Sequence, residues 1–528
     1  MNISIPYLVD IMTQRQKVFF NVLFALWLIF AAVFWIWWLD ESHVVGRLGF
    51  VLNSTLIAWN MMMPAYFFFF VAKMKKPNPK LPIPKGLLVA MVVTKAPSEP
   101  FEVVKKTLSA MLSQKYAHDT WLADEDPTEE VYQWCKRNGV FVSTRKGAVE
   151  YHRPKWPRKT KCKEGNLAYF YDNYGYYRYE FVIQMDADHV PEAGYLEEML
   201  RPFADPAVGY VSAPSICDAN AKKSWAARAR LYAEATLHGP LQSGYNAGWA
   251  PLCIGSHYAV RTKALKEIGG LGPELAEDHT TTLMMNANKW RGIHATDAIA
   301  HGDGAESFTD SMFQEFQWTR SLIIILLTVT PKYLKNLPSR FKLQFLFSEL
   351  WYPLFSTTIV FAYSLPIIAL VTNKPWVNVT YIAFSFYTWI LSIITLSIII
   401  WIKNRGWLRP SNSKFISWET FVFQLIRWPW VLLGVLSGII VCISRKDVSF
   451  KVTSKGEIGN RPLKIGMLTP YLVIIFLSYI SLYAKGSPMV SGYLYFVILN
   501  IITYTISIFM IIKNHFNENK SFSRKSRL

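Results

Sequence analysis

Two uninterrupted apolar runs near the N-terminus, Val18 to Leu39 and Val51 to Ala72, each reach the roughly 20 residues that a helix needs to cross a lipid bilayer. Four more follow toward the C-terminus, at Glu349 to Thr372, Thr380 to Ile402, Met467 to Ala484 and Tyr493 to Ile512. Between the two groups, from Lys73 to about Phe345, polar and apolar residues mix, and this block of about 270 residues reads as one globular domain set into a helical bundle. The first run is too long and too aromatic for a cleaved signal peptide. A hydrophobic content of 52% against 18% charged residues fits a chain whose apolar surface mostly faces lipid, and it excludes a disordered or fibrous protein. Five scattered cysteines, with no CxxC or His-paired spacing, encode neither a zinc module nor a disulfide framework; reduced thiols are expected.

A further run, Phe415 to Ile443, is ambiguous. Its continuous part from Trp428 is 16 residues, and Arg427 and Pro429 interrupt the longer stretch, which favours a helix lying in the membrane interface. Charge orients the rest, because short cytoplasmic loops collect Lys and Arg. Lys73 to Lys85 holds five lysines and no acid, Lys403 to Lys414 four basic residues and no acid, and the tail from Lys513 five basic residues against Glu518. With six spans and 415–443 lying in the interface, all three are cytoplasmic, as are both termini, the large domain and the basic segment Arg445 to Lys464. The net charge of +19 then has its explanation in membrane orientation and contact with lipids, and no helix-turn-helix, finger or RNP pattern points to nucleic acid.

Within the domain, Gly86 to Val93 reads as a buried strand, Phe101 to Leu112 as an amphipathic helix, and Trp121 to Ala123 as a strand running into Asp124. Phe181 to Met185 is another such strand, and it ends at Asp186-Ala187-Asp188-His189. This alternation predicts a mostly parallel α/β sheet with ligands beyond the carboxyl ends of its strands, where all three aspartates fall. Two aspartates one residue apart at a strand end can hold a divalent cation that neutralises a diphosphate, as a nucleotide-sugar donor requires. His189 is either a third metal ligand or a polar residue in the turn. Glu277-Asp278 precedes a helical stretch, so Asp278 is either an N-cap or a general base drawing a proton from an acceptor hydroxyl; His279 reads as a helix-terminus residue.

From residue 86 to 457 the order of these motifs resembles that of the membrane-embedded family 2 glycosyltransferases, which include cellulose, curdlan, chitin and hyaluronan synthases. The resemblance implies a GT-A-type cytoplasmic α/β domain (81–345) between two N-terminal transmembrane helices (1–80) and a C-terminal helical region (346–528). That region would hold an interface helix at 415–443 and a gating loop at 445–457. Asp124 is similar to the first aspartate of the family's uridine-binding pair, with Glu125 in second place; Lys163-Glu164-Gly165-Asn166 is similar to the KxGN stretch near the donor. Asp186 and Asp188 match the metal-binding DxD for Mg²⁺ or Mn²⁺, with His189 alongside. Ala276-Glu277-Asp278 matches the TED motif, whose aspartate is the proposed base, and Cys253-Ile254-Gly255-Ser256 the segment beneath the acceptor sugar.

Gln314-Glu315-Phe316-Gln317-Trp318 resembles QxxRW, whose tryptophan is the acceptor platform. Gln317 stands where the family has an arginine that assists the diphosphate, and Arg320 is the substitute the sequence offers. Phe450 to Lys455 matches the FxVTxK gating loop, whose Thr453 and Lys455 would reach the diphosphate. The implied activity is inverting transfer from a UDP-sugar to a growing β-linked polysaccharide, with export through the bundle of a multi-pass plasma (inner) membrane protein. Accessory subunits or further copies of the chain are the other partners the resemblance admits. The competing expectations are a non-processive enzyme adding one sugar to a lipid-linked acceptor, and a transporter or channel whose domain senses a nucleotide.

Overall fold

In the computed structural model, which describes residues 5–444, 463–484 and 490–525, two apolar helices open the chain, α1 (Gln14–Trp38) and α2 (Arg47–Val71). Thr13 and Gln16 form a reciprocal capping box that starts α1 one turn ahead of its apolar run. The sheet follows, with β1 (Val89–Lys95), β2 (Asp119–Asp124), β3 (Phe141–Ser143), β4 (Phe181–Met185), β5 (Val208–Ser212), β6 (His257–Arg261) and β7 (Arg291–His294) in the order β7-β5-β6-β4-β1-β2-β3. All pairs are parallel except those of β6, which runs against β4 and β5. This GT-A-like sheet is mostly parallel, as the alternation of strands and helices predicts, and β6 is its antiparallel member.

Strands β1, β4 and β5 are buried along their whole length, as a sheet covered on both faces requires. Their alternation divides the core: Val89, Met91 and Val93 of β1 face one apolar cluster with Val104 and Leu108 of α3 (Phe101–Leu112), while Ala90 and Val92 face the other with Leu167 and Phe170 of α4 (Lys163–Phe170). The strand order reverses between β1 and β4, so a crevice opens at their carboxyl ends. The remaining helices that matter to function are α5 (Trp225–Thr236), α6 (Glu277–Ala287) and α7 (Phe308–Thr328). After them come α8 (Ser339–Thr372), α9 (Tyr381–Asn404), α10 (Trp418–Ile426), α11 (Trp428–Ser444), α12 (Thr469–Ser481) and α13 (Ser491–Lys525).

Six helices are long and apolar enough to cross a membrane, but they are not the six that the apolar runs single out: Trp418–Ser444 qualifies by length, and Ile465–Ser481 is shorter. Packing separates these two segments differently. A Cβ on Gly434 would sit 2.7 Å from the Phe316 carbonyl oxygen, and one on Gly438 2.8 Å from Ile323 Cβ, so α11 lies tightly along α7. Both ends of α7 are held by the domain, through Phe308 stacked on Trp225 and Val329 in a core with Ala250 and Leu283. Accordingly 44% of the apolar window of Trp418–Ser444 is buried, against at most 33% for the other five.

Helix α12 instead packs along the first part of α13, with Tyr471 stacked on Tyr504. Tyr471 at its start donates to the Ile426 carbonyl at 2.5 Å, while Leu482, just past its end, packs with Leu370 and Val490. That second group is one end of the bundle, where Trp376 N–H donates to the Tyr493 hydroxyl at 2.9 Å and Asn378 N–H to the His43 carbonyl at 2.9 Å. At the other end the Trp225 N–H donates to the Glu518 carboxylate at 2.6 Å and Arg228 pairs with Glu419 at 3.2 Å, joining α13 and α10 to the domain.

Candidate active site

Lys95 and Asp124 end the neighbouring strands β1 and β2 in register, and their side chains form a buried ion pair of 3.1 Å. Asp124 Oδ1 also accepts from the Asp126 N–H at 3.0 Å, which turns the chain sharply after the strand, while Oδ2 has no hydrogen-bond partner among the described residues. Glu125 is committed elsewhere: it pairs with the fully buried Arg145, which also donates to the carbonyls of Tyr151 at 2.7 Å, Lys159 at 2.9 Å and Cys162 at 3.2 Å. Of the expected uridine pair, Asp124 alone keeps a spare oxygen, and it is buried at the carboxyl end of β2.

Helix α4 brings in the next group. Cys162 caps it, Asn166 donates to the Ala123 carbonyl at 2.8 Å, and Lys163 at its first position reaches Asp186 Oδ1 at 2.7 Å and the Gly255 carbonyl. Asp186 follows β4 directly, its N–H bonded to the Ser256 carbonyl at 2.8 Å. The approach of Gly255 to Asp278 is close: a Cβ there would lie 3.2 Å from Asp278 Oδ2. The KxGN lysine, the first DxD aspartate, the acceptor-segment glycine and serine, and the TED aspartate thus meet around one point, although they lie up to 115 residues apart.

Asp278 sits in the first turn of α6, where the His279 N–H donates to its Oδ1 at 2.8 Å. Burial raises its pKa; the His279 and Gly255 N–H groups and the His279 and Lys163 charges pull only partly against this. Glu277 is buried with neither carboxylate oxygen hydrogen-bonded among the described residues, and burial, then the charge of Asp278, hold it well above the carboxylate range. Cys253, fully buried, donates its N–H to Thr282 Oγ1 at 3.0 Å, which in turn donates to the Asp278 carbonyl at 2.8 Å; this fixes the acceptor segment to α6.

Asp186, Asp188 and His189 offer ligand atoms within 4.8 Å of one another. Two carboxylates and an imidazole make a donor set suited to Mn²⁺ and, through its oxygens, to Mg²⁺. Asp188 Oδ2 accepts from the Asp303 N–H at 2.8 Å, and His189 Nδ1 lies 3.5 Å from Asp188 Oδ1. Burial depresses the imidazole, but Asp188 more than reverses this and carries it to about 10.

Trp318 and Gln314 lie on the α7 face toward α5, apart from the group around Asp278. The Arg230 guanidinium covers one face of the Trp318 ring at 3.7 Å and donates to Gln314 Oε1 at 3.1 Å. Arg230 is itself held by Glu234 at 2.8 Å and Glu315 at 3.7 Å. Gln317 is buried within α7. Arg320 stands by the Phe316 ring at 5.4 Å and faces Glu274, in the loop before Asp278; the next residue, Ser321, accepts the Ala276 N–H at 3.1 Å. Thr453 and Lys455 lie outside the described residues.

Residues 181–404, which contain the DxD pair, Asp278 and Trp318, match the model of the glycosyl transferase family group 2. The chain carries a family 2 glycosyltransferase domain. It is 23% identical over 446 residues to the cellulose synthase 1 catalytic subunit (UDP-forming) of Komagataeibacter xylinus, covering 76% of this chain and 57% of that protein. It is also 23% identical over 396 residues to a cellulose synthase catalytic subunit (UDP-forming) of Pseudomonas fluorescens, covering 73% and 50%. The chain therefore spans about half the length of these relatives. Among solved structures, a mannosyltransferase of Pyrobaculum calidifontis in complex with GDP-Man and Mn²⁺ aligns with a TM-score of 0.48 at 13% identity, covering 74% of this chain and 98% of that one.

Sequence reasoning missed Lys95, Arg145 and Arg230 in the glycosyltransferase domain and Glu349 on the bundle helix α8. Lys95 carried a readable signal, a charge at the carboxyl end of the apolar run VAMVVT. The others carried none, because their partners lie 20 to 88 residues away in the chain.

Proposed function

We propose that the protein is an inverting glycosyltransferase that takes sugar from a UDP-sugar, adds it to a growing β-linked polysaccharide and passes the product through its own helical bundle. The observation that carries this reading is the meeting of Lys163, Asp186, Gly255 and Asp278 at the carboxyl ends of β1 and β4. Asp278 takes the proton of the acceptor hydroxyl, the freed oxygen bonds to the anomeric carbon of the donor, and the bond from that carbon to the diphosphate breaks, releasing UDP. A single displacement of this kind needs a base and no enzyme nucleophile. Asp124 holds the uridine, Lys163 the diphosphate, and Gly255 and Ser256 the acceptor. Trp318 stacks the acceptor sugar on the ring face that Arg230 leaves open, with Gln314 beside it. Asp186, Asp188 and His189 would hold a Mg²⁺ or Mn²⁺ ion, which would supply positive charge to the leaving diphosphate.

The domain and both termini lie on the cytoplasmic face of the plasma membrane in this reading. The helices α1, α2, α8, α9, α12 and α13 cross it, and 418–444 stays on the domain side. Purified protein in nanodiscs, incubated with each common UDP-sugar and Mn²⁺, releases UDP with one donor and makes chains that persist on dilution. Release of UDP with only short or lipid-linked product would replace this reading with single transfer, and no release from any donor would remove it. Asp278→Asn lowers turnover by about 100- to 10,000-fold and keeps UDP binding; full turnover in that variant would displace Asp278 as the base.

A further inference from the structure

Glu349 is a carboxylate with no solvent exposure, one-third of the way along α8, at the head of that helix's apolar run. A charged side chain in such a place is costly to bury and is kept where it has a specific partner. Its partner belongs to the domain: Glu349 Oε1 lies 3.0 Å from His279 Nε2 and accepts from Thr330 Oγ1 at 2.7 Å. One turn earlier on α8, Phe345 packs edge-on against the same imidazole at 5.6 Å between centroids. A carboxylate oxygen can only accept here, so Nε2 carries the proton that is shared.

The same residue, His279, presents its backbone N–H to Asp278 Oδ1 at 2.8 Å. On its other side the Asp278 carboxylate abuts Gly255. The first turn of α6 is therefore held from two directions, by the sheet domain through Gly255 and by a bundle helix through the ring of His279. The orientation of the Asp278 carboxylate depends on both.

We propose that Glu349 is a positioning residue for sugar transfer: from helix α8 it holds the His279 ring, and with it the peptide N–H that aims Asp278 at the acceptor. This rests on Asp278 being the base. The apolar helix that lines the bundle and the catalytic turn then share one hydrogen-bonded joint, so that a shift of α8 is felt directly at the base.

The test is a double-mutant cycle on purified full-length protein in nanodiscs, with UDP release as the readout. Glu349→Leu lowers kcat about 10- to 100-fold, with KM for the donor and the affinity for UDP within twofold of the parent. His279→Ala does the same, and the double variant is no slower than the slower single one. Thr330→Val, which removes one donor from Glu349 and keeps the volume, gives the same split at smaller size and decides the matter if the Leu variant does not accumulate. Unchanged kcat, a rise in donor KM alone, or costs that multiply in the double variant would each overturn the proposal. Asp278→Asn, run alongside, keeps the two levels apart: if it is inactive while Glu349→Leu and Thr330→Val are normal, the joint is wrong and the base stands, whereas an active Asp278→Asn removes both.

Discussion

Asp278 must be ionised to take a proton, and burial raises its pKa above the value near 3.9 of a free aspartate. The acid limb of kcat/KM is therefore expected above the ordinary carboxylate range, with activity falling as pH drops through the raised value; a limb at or below pH 4 would contradict the burial seen at α6. Stability moves the opposite way. Glu277 and Asp278 bind protons more tightly folded than unfolded, so between the unfolded values and the raised folded ones the fold loses stability as pH rises. Neighbouring backbone is equally tight: Gly255→Ala sets a methyl 3.2 Å from Asp278 Oδ2, and we expect kcat to drop about tenfold while UDP affinity, measured by calorimetry, is kept. The DxD pair was legible because motif order and a strand end both point to it, whereas Lys163, Gly255 and Asp278 were legible through motif order alone. Glu125 was not, since its commitment to Arg145 depends on a fold-back of 20 residues that no local pattern announces; nor was Glu349, whose meaning comes from His279, 70 residues away.

Helices α7 and α11 show that length and hydropathy do not say what covers a helix. Trp418–Ser444 has the hydropathy of a membrane span, yet its glycines at 434 and 438 are spaced one turn apart against the backbone and side chains of Phe316, Thr319 and Ile323. Hydropathy records only that the helix avoids water; 44% of its apolar window is covered by the protein itself. The interruption at Arg427 was the informative signal. Its guanidinium pairs with the buried Glu315 at 3.5 Å and stacks by Trp351 and Phe355, which ties the α10–α11 junction to the helix that carries Trp318. Gly434→Val is expected to cost about 1–3 kcal/mol by overpacking this contact. A lowered unfolding midpoint in detergent, together with weaker acceptor use, checks it; a variant as stable as the parent would mean that the two helices separate freely.

At the scale of the whole molecule the question is which helices connect the two ends of the bundle. Trp376, Asn378, His43 and Tyr493 meet at one end, and Trp225, Glu419 and Glu518 at the other, where the domain sits. Helix α13 begins at the first group and reaches the second, and α12 runs antiparallel beside its first part, from Tyr471 against Tyr504 to Leu482 by Val490. Where α12 crosses the membrane beside α13, a crossing by 418–444 as well would carry Glu518 to the far side, away from Trp225; where α12 does not cross, 418–444 takes its place. Charge favours a crossing by α12, since a crossing by 418–444 would export the basic segment from Arg445 to Lys464. In inverted vesicles of a chain lacking its native cysteines, Asn412→Cys and Lys464→Cys should both react with a membrane-impermeant maleimide, and Ser42→Cys only after the membrane is opened. Protection of Lys464→Cys while Asn412→Cys reacts would show that 418–444 crosses. The segment from 445 onward, with the expected gating loop, would then lie across the membrane from Asp186 and Lys163, and its Thr453 and Lys455 could take no part in binding the diphosphate.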